Sequence, residues 1–120
     1  MDKQRILIHG EDVCLTDHPH VSKNTGNLTY ELPFLNDPDT GMMVKLICYP
    51  KGSVTPLHDH NCAHGIYVLR GTLHTDSGDF GPGSFVWFPE GDRMIHGGLE
   101  EDVEGLFITN KAFDIHYYKK

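Results

Sequence analysis

The segment HDHNCAH, His58 to His64, holds three of the chain's nine histidines together with an aspartate and a cysteine. Neutral imidazole is the commonest metal ligand and suits zinc, copper, iron and nickel. His58 and His60 alternate on what reads as an extended stretch, so both rings point to one face. Asn61-Cys62-Ala63 is short and turns the chain, and His64 opens the next strand-like run. Within that run His64, Ile66 and Val68 share one side, and Gly65, Tyr67 and Leu69 the other. His96 follows later, beyond the turn signal Pro89–Asp92. A metal needs at least three donors converging on one point, and His58, His60, His64 and His96 can supply them inside a barrel. A lone histidine is more often exposed or satisfied by backbone. The clustering is what favours a metal here.

Other residues with chemical potential carry less. Cys62 sits inside the cluster as a soft ligand or as a small turn residue, and the second reading is favoured. Asp59 alternates away from the histidine pair and is either exposed or a support for an imidazole. His18 and His20 form a second HxH-like pair, but Pro19 between them and the lack of a strand pattern argue against a second metal. His74 faces outward on its strand, and His9 and His116 have no evident partners. Arg70 and Arg93 are candidates to pair with a substrate carboxylate, though such side chains are usually solvated. Tyr67, Phe85, Trp87, Phe88 and Phe107 read as barrel core or rim.

Short β-branched and aromatic runs between glycine and proline breaks must position these groups. Candidate strands are Arg5–His9, Leu28–Leu32, Met42–Tyr49, Gly65–Arg70, Thr72–Thr75, Ser84–Phe88 and Gly105–Thr109. No segment shows a convincing 3.6-residue period. Arg70-Gly71, Asp76–Asp79 and Pro89–Asp92 are turn signals. Val13–Asn27 and Asn36–Gly41 read as loops. Many short strands with regular turns indicate an all-β sandwich or barrel.

At 120 residues, the chain is near the commonest domain size, and 1–120 reads as one domain. The formal charge of −7 is spread along the sequence, which excludes nucleic-acid binding through a basic patch. Lys119-Lys120 is the only basic cluster and reads as a solvated end. No apolar run approaches the ~20 residues of a membrane helix. The start, MDKQRILIHGEDV, lacks a signal-peptide apolar block, so a cytoplasmic location is expected. Cys14, Cys48 and Cys62 are odd in number and widely spaced, which fits free thiols in a reducing compartment.

The stretch GSVTPLHDHNCAHGIYVLRG resembles the first motif of the cupin superfamily, G-x5-H-x-H-x3/4-E-x6-G, with Gly52, His58, His60 and Gly71 in register. GSFVWFPEGDRMIH resembles the second motif, G-x5-P-x-G-x2-H-x3-N, with Gly83, Pro89 and Gly91 in register. Two departures stand out. His64 replaces the usual glutamate, and His96 arrives two residues late with no asparagine at the family spacing. The motifs lie within about residues 42–110, leaving an N-terminal strand and loop over 1–41.

The resemblance implies a single-domain double-stranded β-helix, or jelly-roll barrel. It also implies one divalent transition metal in the barrel mouth and often a homodimer. His58, His60 and His96 are the implied ligands. His64 is either a fourth ligand or a catalytic residue that contacts substrate. An all-histidine site suits iron(II) or zinc, with manganese, nickel or copper as alternatives. It resembles the iron cupins that cleave small enolisable molecules with dioxygen. A non-catalytic zinc cupin, serving as sensor or structural module, and a metal-assisted isomerase or lyase are the alternatives. With ordinary imidazoles, metal should leave below about pH 6.

Overall fold

The short runs between glycine and proline breaks do form strands. The computed structural model describes residues 4–117, so the Lys119-Lys120 cluster lies outside the described residues. The first strands are β1 (Pro19–Val21), β2 (Leu28–Asn36), β3 (Met43–Tyr49) and β4 (Val54–His60). Then come β5 (His64–Arg70), β6 (Leu73–Thr75), β7 (Gly78–Phe80) and β8 (Phe85–Phe88). The last are β9 (Met94–Gly98), β10 (Val103–Thr109) and β11 (Ile115–Tyr117). They build two antiparallel sheets, a six-stranded one in the order β1-β2-β3-β10-β5-β8 and a five-stranded one in the order β11-β4-β9-β6-β7. The all-β jelly-roll expectation therefore holds, and no helix among the described residues is long and apolar enough to cross a membrane.

Alternation decides what faces inward. Along β10, Val103, Gly105, Phe107 and Thr109 are buried and the residues between them are not. Ile47 and Tyr49 of β3, Ile66 and Val68 of β5, Leu73 of β6, and Val103 and Phe107 form the core. This core joins the two sheets and leaves the space between them to the histidines. Phe88 and Phe107 are buried as expected, whereas Tyr67, Phe85 and Trp87 are exposed on the outer face of the larger sheet.

Three sequence expectations need correction. Arg5–His9 forms no strand, and its residues are all exposed. Its apolar side chains fall on both faces of an extended run, and β1 rather than this segment pairs with β2. Val13–Asn27 is not wholly a loop: a 3-10 turn at Leu15–Asp17 buries Leu15, and β1 follows. β2 runs past Leu32 to Asn36 because Pro33, which lacks an N–H, falls where the register slips between Pro33 and Leu35.

The Arg70-Gly71 turn is enforced sterically. Gly71 has φ +79°, and a Cβ there would lie 2.1 Å from the Asp102 carbonyl oxygen. Gly71→Ala is expected to cost about 3 kcal/mol by adding strain to backbone overlap. Gly81, where a Cβ meets nothing within 4 Å, should accept alanine almost neutrally. Urea unfolding of the two variants checks the contrast.

Candidate metal centre

β4 and β9 are hydrogen-bonded neighbours, and their inner faces carry the site. His58 and His60 are buried while Asp59 between them is not, as alternation requires. His96 of β9 stands opposite Thr55, and Met94 stands opposite His58. The second-motif position falls on Met94, yet moving a residue by two along a strand keeps it on the same face. The late histidine therefore still points inward. Pro56 and Leu57 lie in the register slip between Thr55 and His58, where β4 bends.

The result is a tight nitrogen cluster. His58, His60 and His96 each offer one ring nitrogen, all within 4.8 Å of one another, and together could hold a metal ion. His64 comes from the facing sheet. Its ring centroid is 4.2 Å from that of His60 and 5.8 Å from that of His96, but its nitrogens fall outside the group of three. Phe107 and Phe88 pack its ring at 5.1 and 5.2 Å.

Hydrogen bonds set the tautomers of the first two rings. His58 Nδ1 donates to the Pro56 carbonyl at 2.6 Å, and His60 Nδ1 donates to the Asp114 carbonyl at 3.2 Å. A carbonyl only accepts, so the proton sits on Nδ1 and each Nε2 presents a lone pair inward. Both Nε2 atoms are buried without a hydrogen-bond partner, as are both ring nitrogens of His64 and of His96. Buried polar atoms are almost always satisfied. One inward nitrogen from each of these rings is available to a bound cation.

Burial also holds the rings neutral. It pushes His60 down to about 4, helped by the neighbouring His58, and His64 down to about 3, helped by His60. It lowers His58 and carries His96 well below the ordinary histidine value. Between the folded and unfolded values the unfolded chain binds more protons, so stability is lost as pH falls from about 6.5 toward about 4. Metal-free protein should melt progressively lower across that window. Metal should stay bound through pH 5 and leave near pH 4, lower than the pH 6 expected from ordinary imidazoles. Metal content after desalting at each pH checks this.

A cavity of about 500 Å³ opens onto His58, His60 and His96, a volume in the range of small-molecule sites. Ile47, Tyr49, Phe107, Phe113 and Tyr117 give it apolar and aromatic walls, and Glu31 and Lys45 add an ion pair. Lys45 Nζ also lies over the Phe107 ring, 4.8 Å from its centroid. Lys45 holds the Glu31 carboxyl below its usual range against the opposing effect of burial. His64 is not part of this wall.

Sequence reasoning missed Glu31, Lys45, Tyr49, Phe113 and Tyr117 as cavity residues, because strand order rather than spacing brings them together. The alternation of Lys45 with Val44 and Leu46 was the one readable signal. Elsewhere, Cys62 is buried, its thiol is pushed up by burial, and it is not in the nitrogen cluster. His20 reaches the cavity rim, with its Nε2 4.0 Å from Glu31. His74 pairs with Asp79, and Arg70 with Glu104.

Comparison with known proteins agrees with this architecture. A family profile described as the ChrR cupin-like domain matches residues 13–114. The chain matches no curated protein sequence. An RmlC-like cupin protein from Ralstonia eutropha superposes with TM-score 0.70 at 18% identity, over 92% of this chain and 70% of that one. The polyketide cyclase RemF from Streptomyces resistomycificus gives TM-score 0.70 at 20% identity, over 100% of this chain and 87% of that one. The DMSP lyase DddQ from Ruegeria pomeroyi gives TM-score 0.64 at 13% identity, over 88% of this chain and 58% of that one. At these identities the likeness is one of fold.

Proposed function

This chain belongs to the ChrR cupin-like domain family, and from that premise we propose that it is a metal-dependent enzyme acting on a small anionic or enolisable molecule. The orphaned imidazole nitrogens facing the 500 Å³ cavity carry this reading. His58, His60 and His96 are the proposed ligands. His64 is the proposed fourth donor, approaching from the facing sheet and leaving the cavity side for the substrate. An all-nitrogen set selects a transition metal over magnesium or calcium, which prefer oxygen. A bound divalent ion there would supply Lewis acidity without carboxylate neutralisation, and iron(II) would add redox chemistry with dioxygen.

The reaction we propose is oxidative cleavage. One carbon–carbon bond of an enolisable substrate breaks, both atoms of dioxygen enter the products, and the substrate supplies the four electrons. The chain's own part is to exclude water with Ile47, Phe107 and Phe113 and to orient the substrate against the histidines. A second reading has support from Glu31. It is a carboxylate on the cavity wall, and could accept a substrate proton in a non-oxidative lyase or isomerase reaction.

Metal analysis of protein purified without added metal, then oxygen uptake with diketones and thiols, separates these readings. Iron with stoichiometric oxygen consumption on a diketone supports cleavage, and uptake with a thiol alone does not. Tightly held zinc without oxygen use removes the oxygenase and leaves the lyase or a non-catalytic zinc cupin. Absence of any transition metal overturns the proposal.

A further inference from the structure

The cavity beside the histidines carries charge that an apolar wall does not require. Among the described residues, two lysines, Lys23 and Lys45, line it against one carboxylate, Glu31. That balance runs against a chain of formal charge −7, and a bound divalent cation would add to the positive side. Neither Arg70 nor Arg93, the two arginines that the sequence offers for a substrate carboxylate, is on this wall.

Lys45 is the buried one of the two lysines, at 9% exposed. It shares the inward face of β3 with Ile47 and Tyr49. Phe107 stands opposite it on β10, and Nζ lies 4.8 Å from the Phe107 ring centroid and 5.5 Å from that of Phe113. Glu31 Oε1 accepts one N–H of the ammonium. Glu31 is itself held, because its other oxygen accepts from Thr29 Oγ1 at 2.7 Å. The head group is therefore fixed on the cavity wall by two rings and an anchored carboxylate. A buried ion pair adds little to stability, since desolvation of the charges offsets their attraction. Apolar side chains at these two positions would wall the cavity as well, so the pair points to a ligand. An ammonium has three donors, and Glu31 Oε1 takes one of them. The histidines are close. The Phe113 ring centroid is 4.7 Å from that of His60, so two short steps along one wall lead from Nζ to the nitrogen cluster.

We propose that Lys45 sets the substrate class. Its ammonium pairs with the carboxylate at one end of a short molecule whose other, enolisable end meets the histidines, while Glu31 and the two rings keep the ammonium in place. This rests on the reading of the cavity as the substrate site of a metal centre. Of the anionic and enolisable molecules admitted there, it selects those that are both. A neutral diketone leaves donors of the buried ammonium unpaired, and a site built to bind a polar group rejects the analogue that lacks it.

The probes are succinylacetone, a diketone that ends in a carboxylate, and its methyl ester, which keeps the diketone and loses the charge. Calorimetric titration of the zinc-loaded full chain should show the acid binding at least about tenfold more tightly than the ester. Lys45→Met should abolish that preference, and Lys45→Arg should keep it. Lys45→Met leaves Glu31 buried without its partner, so Lys45→Met combined with Glu31→Gln carries the same test should the single variant not fold. Equal binding of acid and ester by the wild type overturns the inference and leaves the metal-centre reading standing. A preference that survives the loss of Lys45 does the same. Zinc-loaded protein that binds neither probe overturns both.

Discussion

His60→Ala is expected to yield folded protein that retains almost no transition metal after dialysis, against about one ion per chain in the wild type. His60 Nε2 is one of three nitrogens lying within 4.8 Å of one another, and its Nδ1–H is already committed to the Asp114 carbonyl. His64 alone stands nearby, and its nitrogens fall outside the group of three. His58, His96 and an off-centre His64 hold an ion far less firmly than the full set. The loss should therefore exceed the ~10–100-fold that follows removal of an outer-shell partner. His58→Ala and His96→Ala should behave alike, and any metal-dependent turnover should vanish with the metal. His74→Ala is the control. It lies on β6, is tied to Asp79 at 2.8 Å and is outside the cluster, so its metal content should match the wild type. If His60→Ala and His58→Ala keep a full complement of metal, the cluster is not the site.

The inward pair His58 and His60 was legible because alternation within one strand is a local property. So was the division of β5 into a His64, Ile66 and Val68 side and a Gly65, Tyr67 and Leu69 side. His96 was legible as a candidate, and its two-residue offset turned out to preserve its face. The aromatic assignments were less legible. Tyr67, Phe85 and Trp87 are as apolar as Phe88 and Phe107, and only strand pairing shows which face of the sheet each takes. The cavity was hidden for the same reason. Lys45 meets Glu31 because β2 pairs with β3, and both meet the histidines because the second sheet lies opposite. The Arg5–His9 run shows a different limit: its composition favours a strand, but a strand also needs a partner, and it is β1 that pairs with β2.

His64→Leu is expected to raise the stability of metal-free protein by about 2 kcal/mol while weakening metal binding. The His64 ring is fully buried between Phe88 and Phe107, and neither nitrogen has a partner. A neutral imidazole so placed leaves one donor and one acceptor unpaired, and each unsatisfied buried group costs about 1–3 kcal/mol. Leucine fills much of the same space with no polar atom, so the metal-free barrel gains. With metal the order should reverse, because an ion that binds only the folded state stabilises it in proportion to the logarithm of its affinity. With His64 as the proposed fourth donor, the wild type should gain more than the variant that lacks it. Urea unfolding of both proteins, with zinc and with a chelator, measures the two differences separately. Equal gains on adding zinc would show that His64 donates nothing to the ion. Lower stability of His64→Leu in chelator would show that its imidazole has a partner inside the barrel. A crossing of the two stabilities would mean that the position holds a buried histidine at a cost to the empty fold, with the bound metal as the compensation.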